Sequence, residues 1–194
     1  SIPGLTERVG NVGNVLAYAS EMSRSALLSG TNASRAANGL GPLALSGELN
    51  ASAQMKGEHM GANNYWAHEA PDGTTPWYFF QAVGYSYVRA GENLAYGFTT
   101  SQGVIDGWMN SPTHKANMLD NAFSEVGFGF ANAEDFNKSG KETIVVAMYG
   151  QPNKNQAATA PSSQSKTNGA FTTTSAAAEP ASRSVSLVQK LTGG

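Results

Sequence analysis

The sequence predicts an α+β fold, and three observations carry that prediction. Helical periodicity is concentrated early, before residue 64. The strongest strand signals, "EVGFGFANA" and "KETIVVAMYGQ", come late and close together. No regular strand–helix alternation connects the two regions, which argues against a doubly wound parallel sheet.

Taken in order, "SIPGLTERVGNVGNVLAYASEMSRSALLSG" has a glycine-broken start and reads as helix from Val15 to Leu28. After Gly30, "TNASRAANGLGPLALS" reads as a short helix ended by Gly39, with Pro42 soon after. The next stretch, "SGELNASAQMKGEHMGANN", is a better helix. Ser46 is its candidate N-cap, and Leu49, Ala53 and Met60 fall within about 40° of one another at 100° per residue. Pro71-Asp72-Gly73 is a turn signal. A strand is expected around Tyr85–Arg89, and helical character returns at 101–109 and 113–119. Val126, Phe128 and Phe130 alternate with glycines, as in a strand, and the β-branched run of "KETIVVAMYGQ" reads as a central one. No internal repeat is present.

Composition bounds the function. The chain has 194 residues, enough for one domain with appendages, and a formal net charge of −2. Charged residues are only 13% of the total, about half the usual share of roughly 25%. A chain so weakly charged offers no basic surface for nucleic acid. With no cysteine, disulfides and thiolate metal sites are excluded, so any metal must be held by His, Asp, Glu or carbonyl oxygens. No apolar run approaches the roughly 18 residues of a membrane helix. The start at Ser1, where a fresh chain would have Met, reads as a processed or trimmed product.

After Pro152 the chain turns to Ala, Ser, Thr, Gly, Asn, Gln and Pro, as in "NQAATAPSSQSKTNGAFTTTSAAAEPAS". Such a segment buries too little apolar surface to offset its ordering entropy, so 153–194 is expected to be a disordered linker. Its end, "SVSLVQKLTGG", becomes apolar again, as if opening a further element. The expected division is an N-terminal extension, partly helical, over 1–24, a domain over 25–152 and the linker.

Glu92 poses the sharpest chemical question. In "AGENLAYGF" it is the one acid among small and apolar residues, so its charge needs compensation inside the fold. Only three histidines exist. His59 lies on the flank of its helix and reads as a surface or boundary residue. His68 follows an aromatic pair in "NNYWAHEAPDG". His114 follows Ser111, a candidate cap, and Pro112, a candidate first helical residue. The positive helix end there favours a neutral, ligand-competent imidazole. Two imidazoles and a carboxylate can hold a divalent metal or set a general base beside a substrate. Each can equally be satisfied by backbone hydrogen bonds alone.

Five stretches, "NASRAANGLGPLALSGELNASAQ", "YWAHEAPDG", "GYSYVRAGENLAYG", "WMNSPTHKANML" and "EVGFGF", stand in the order seen in the CAP superfamily of SCP-like and plant PR-1-like proteins. Over about residues 25 to 152 the chain resembles the cysteine-free bacterial branch of that superfamily. The resemblance implies a three-layer α-β-α sandwich with a cleft. It also implies that His68, Glu92 and His114 face that cleft and can bind a divalent cation, zinc above all. A second glutamate of the family pattern is replaced by Ser111, leaving Asp106 and Glu125 as substitutes.

Bland readings apply elsewhere. Trp66, Trp77 and Trp108 are expected to plug the sandwich, Asn93 to tie a loop backbone, Asn117 to make a structural hydrogen bond and Ser111 to cap its helix. Three functions then remain. The first is a monomeric, secreted or surface-anchored module that binds a cation in its cleft and contacts a lipid, glycan or protein partner, peptides included. The second is a hydrolase, protease-like or cell-wall-acting, using His68, Glu92 and His114 as catalytic residues. The third is a purely structural or adhesive surface domain, tethered through its C-terminal tail.

Overall fold

The computed structural model describes residues 22–154, and residues 182–189 as backbone. Helix α1 runs Arg24–Ala37, capped by the Ser23 side chain, which accepts from Ala26 N. It passes through Gly30 without a break, which corrects the two-helix reading of this region. The reason is tertiary: a Cβ at Gly30 would stand 2.9 Å from Ile105 Cγ1, so the glycine lets a second helix approach closely. Gly39, at φ +71°, ends the segment as expected. Whatever precedes residue 22, including most of the expected N-terminal extension, lies outside the described residues.

Strand β1 (Ala44–Leu45) leads into α2 (Gly47–Asn63), with Ser46 accepting from Leu49 N as its cap. Asn64, at φ 48°, closes α2 in the left-handed region. After the Pro71–Gly73 turn come α3 (Pro76–Ala82), β2 (Tyr87–Tyr96), α4 (Ser101–Met109) and α5 (Pro112–Met118). Strands β3 (Glu125–Ala133) and β4 (Glu142–Pro152) follow, separated by a 3-10 turn at Phe136–Lys138. Strand β2 is longer than the sequence suggested. It carries Glu92 and Asn93 within the sheet and not in a loop.

The sheet order is β1-β3-β4-β2-β5. Antiparallel β3–β4 and β4–β2 pairs form its centre, and β1 adds in parallel to β3. The last strand, β5 (Ser182–Gln189), pairs in parallel with β2 and sets Val185 opposite Glu92. These eight residues were expected to be linker. The exposed hydrogen-bonding edge of β2 accounts for the difference, because an alternating "SVSLV" segment can satisfy its own backbone there. The rest of the expected linker beyond 154 lies outside the described residues.

Strand periodicity divides β4 between two cores. Ile144, Val146 and Met148 join Leu49, Met60, Phe79, Phe80, Leu94 and Tyr96 under α2 and α3. Val145, Ala147 and Tyr149 join Leu27, Val104, Ile105, Trp108, Met118 and Phe128 under α1, α4 and α5. The result is the expected three-layer α-β-α sandwich. Gly127 and Gly129 are what let α2 lie so low on β3: a Cβ at either position would overlap the backbone of Leu49–Asn50 or Ala53–Gln54.

Candidate functional site

Glu92 sits mid-strand on β2, opposite Met148 of β4, and is completely buried. Successive residues of a strand face opposite sides, so Glu92 and Asn93 reach different layers. Glu92 meets the segment between α2 and α3. There His68 Nδ1 lies 2.6 Å from Glu92 Oε1, and the imidazole is only 17% exposed. Oε2 of Glu92 is buried without a hydrogen-bond partner among the described residues.

Asn93 points to the other layer. Its Nδ2 donates to His114 O at 3.1 Å and to the Tyr149 hydroxyl at 3.4 Å. Asn117 donates in the opposite direction, to the carbonyl of Glu92 at 3.2 Å and to Asn93 Oδ1 at 2.8 Å. Helix α5 is thereby stitched to the strand carrying Glu92. Its far end is held by Arg35, buried in α1, which donates to Met118 O, Asp120 O and Gly41 O. Desolvation lowers the Arg35 pKa from its ordinary value.

His114 is itself fully buried, and its Nδ1 lies 2.6 Å from Ser111 Oγ. Ser111 occupies the N-cap position, yet its side chain makes no capping bond. The sequence placed Ser111 as a cap; its hydroxyl serves the His114 imidazole instead. The three expected site residues are therefore not equivalent. His68 and Glu92 are in direct contact, whereas His114 is tied to the Glu92 strand through its backbone carbonyl and the two asparagines.

Neither proposed substitute carboxylate takes part in these contacts. Asp106 is on the exposed face of α4, accepting from Gln102. Glu125 accepts from the Tyr85 hydroxyl at 2.7 Å. Among the described residues, no group of three or more His, Cys, Asp or Glu side chains could hold a metal ion. A three-ligand zinc site of His68, Glu92 and His114 does not fit the arrangement as it stands. The orphaned Oε2 of Glu92 is nevertheless a buried acceptor that a cation or a ligand's N–H or O–H would satisfy.

One residue of this site escaped the sequence reading. Lys56 of α2 is fully buried, and its Nζ donates to His68 O at 2.6 Å, Ala67 O at 3.1 Å and the Tyr65 hydroxyl at 3.2 Å. The ammonium also lies 4.9 Å from the centre of the Tyr65 ring. Desolvation lowers its pKa from the ordinary value, and the Glu92 charge opposes that shift. A signal existed: on the helical wheel Lys56 falls within about 20° of Leu49, inside the apolar stripe. Beyond it, Tyr65 contacts His59 Nδ1 at 2.9 Å, so the boundary histidine also has a defined partner.

The tryptophans behave as packing residues. Trp108 is buried with Nε1 donating to Leu94 O, Trp66 packs edge-on against Tyr96 and Phe136, and Trp77 stacks on Phe80.

The family described as "CAP: Cysteine-rich secretory protein family" matches residues 28–149. The Bacillus subtilis protein YkwD is 38% identical over 103 residues, covering 53% of this chain and 40% of that protein. The B. subtilis membrane protein YlbC is 27% identical over 107 residues, covering 55% and 31%. The match thus spans less than half the length of either relative. Among solved structures, an extracellular protein containing an SCP domain from Bacillus anthracis str. Ames superposes with a TM-score of 0.57 at 24% identity, covering 66% of this chain and 40% of that one. An outer surface protein from Borrelia burgdorferi gives 0.55 at 22%, covering 66% and 92%. At these identities the structures speak to the fold.

Proposed function

This chain belongs to the CAP, or cysteine-rich secretory protein, family, although it has no cysteine of its own, and from that premise we propose that it is a binding module acting outside the cell. In this reading its cleft uses Glu92, held by His68, to take a divalent cation or a hydrogen-bond donor of a bound partner, with His114 of α5 tied by its backbone to the strand that carries Glu92. The observation that carries the reading is the Glu92 carboxylate. It is wholly buried, with one oxygen held by His68 and the other left without a partner among the described residues. An orphaned anionic oxygen inside a fold costs free energy that an incoming positive group recovers.

Two further points support the reading. The segment that carries His68 lies over the face of the sheet from which Glu92 projects, a scaffold suited to presenting a preformed site. The extracellular setting is supported by the solved proteins of similar fold, one called extracellular and one an outer surface protein. No helix among the described residues is long and apolar enough to cross a membrane. With His68 the one side chain bonded to the Glu92 carboxylate among the described residues, a cation held here would keep most of its coordination for water or for atoms of the partner, a lipid headgroup, glycan or peptide.

Zinc titration by calorimetry tests the reading on the wild type, on Glu92→Gln and on His68→Ala/His114→Ala. One-site binding of the order of micromolar affinity or tighter, lost in both variants, supports it. Zinc binding that survives Glu92→Gln overturns the assignment of Glu92. Absence of binding in the wild type removes the cation from the proposal. Turnover of peptide or cell-wall substrates abolished by Glu92→Gln would replace the binding reading with the hydrolase. An unchanged phenotype in all variants would leave an adhesive domain.

A further inference from the structure

We propose that Lys56 is a positioning residue of the cleft: by pinning the carbonyls of Ala67 and His68 it holds the His68 imidazole on Glu92 Oε1 and leaves Glu92 Oε2 for the ligand. The inference rests on the reading of Glu92 as the binding group. An ammonium has three N–H donors, and here all three have acceptors, two of them successive peptide carbonyls of the segment that carries His68. That segment is irregular, lying between α2 and α3, so its backbone has no ladder of its own to fix it. Lys56 supplies the missing donors from a helix anchored on β3.

A purely structural role explains Lys56 less well. Its neighbours on the stripe, Leu49, Ala53 and Met60, are apolar and fully buried, and a methionine at position 56 would fill similar space without desolvating a charge. The charge is matched instead by Glu92, whose field acts on Lys56. The same ammonium carries the backbone of His68, so charge compensation for Glu92 and placement of the imidazole come from one side chain. A ligand then meets Glu92 Oε2, the buried acceptor left without a hydrogen-bond partner among the described residues. The outer partner thus sets what the inner residues offer.

The test reads the His68–Glu92 bond itself and needs no ligand. In protein labelled with nitrogen-15, the His68 Nδ1–H proton is expected at low field and is assigned by its loss in His68→Gln. Lys56→Met is expected to lose this signal while still melting cooperatively, and to weaken zinc binding by about 10- to 100-fold wherever the wild type binds zinc. A signal unchanged in folded Lys56→Met overturns the proposal, whatever happens to stability. Should Lys56→Met fail to fold, Lys56→Cys serves, since the chain has no other cysteine and aminoethylation rebuilds an ammonium of nearly the original length. Recovery of the signal on aminoethylation supports the proposal, and an aminoethylated protein that melts like wild type without the signal overturns it. Zinc that fails to bind wild type while the signal follows Lys56 would refute the cation reading alone.

Discussion

His68 Nδ1 and Glu92 Oε1 are 2.6 Å apart, and 24 residues of chain separate the two. One belongs to an irregular segment between helices and the other to the interior of a strand. Their contact makes a buried carboxylate tolerable, because a hydrogen bond to a charged acceptor and the nearby Lys56 ammonium replace lost hydration. The remaining carboxylate oxygen is buried without a hydrogen-bond partner among the described residues. Four consequences of the surrounding architecture can be measured.

Gly127 and Gly129 set how closely α2 approaches the sheet, and α2 carries Lys56. Gly127→Ala or Gly129→Ala would drive a methyl group into helix backbone, which cannot rotate away as a side chain would. Each is expected to cost above about 4 kcal/mol. Urea denaturation measures this, and a loss below about 1 kcal/mol would show that the helix can lift without penalty.

Asn117→Ala removes both hydrogen bonds from α5 to the Glu92–Asn93 peptide region. Two buried acceptors lose their donor, for a combined cost of about 2 to 4 kcal/mol. Hydrogen exchange should quicken in α5 more than in β3. Uniform quickening across the domain would mean that α5 is not a separately tethered element.

Ser111 bonds His114 and does not cap α5. Ser111→Asp is a comparable N-cap residue in general, yet it is expected to destabilise the protein by burying a carboxylate against the His114 imidazole, where a neutral hydroxyl now stands. Ser111→Thr keeps the hydroxyl and is expected to melt within a few degrees of wild type. Equal melting of the Asp and wild-type proteins would restore the capping role.

Alkaline pH should unfold the domain before its exposed groups account for it. Burial pushes the Tyr65, Tyr85 and Tyr149 phenols above their ordinary value of 10.0. Once pH exceeds about 10, the unfolded chain releases protons that the native chain retains, so stability falls as pH rises. Lys56, lowered by burial, works in the opposite sense: its cost is present at neutral pH and is relieved as pH rises to its ordinary value of 10.5. Arg35, lowered likewise, opposes with one proton against three at higher pH. Melting temperature should therefore drop steeply above about pH 10.5, with the phenolate absorbance of Tyr65, Tyr85 and Tyr149 appearing together with unfolding. Phenolate absorbance of all tyrosines appearing in still-folded protein would contradict the burial.

Much of this architecture was legible in advance. Local rules are enough for Ser46 as a cap, Gly39 as a terminator, the 101–109 helix and the two late strands, since each depends on residues within a turn or two of one another. The pairing of His68 with Glu92 was foreshadowed by family resemblance and by the oddity of an acid among apolar neighbours. Gly30 was misread as a helix end because its reason for being there, Ile105, lies 75 positions away. Asp106 and Glu125 were plausible carboxylates until the fold turned one to solvent and gave the other to Tyr85.

By itself, then, the sequence determined the class of fold, the absence of thiolate chemistry and the identity of the carboxylate and histidines worth watching. Those follow from composition, short-range periodicity and ordered motifs. Only the tertiary structure decided that His114 turns its Nδ1 to Ser111, that two asparagines join its helix to β2, and that Lys56 is buried beneath His68. Such contacts form where elements distant in the chain meet. Their energies depend on desolvation and on angstrom-scale geometry, and neither is written in any one stretch of residues.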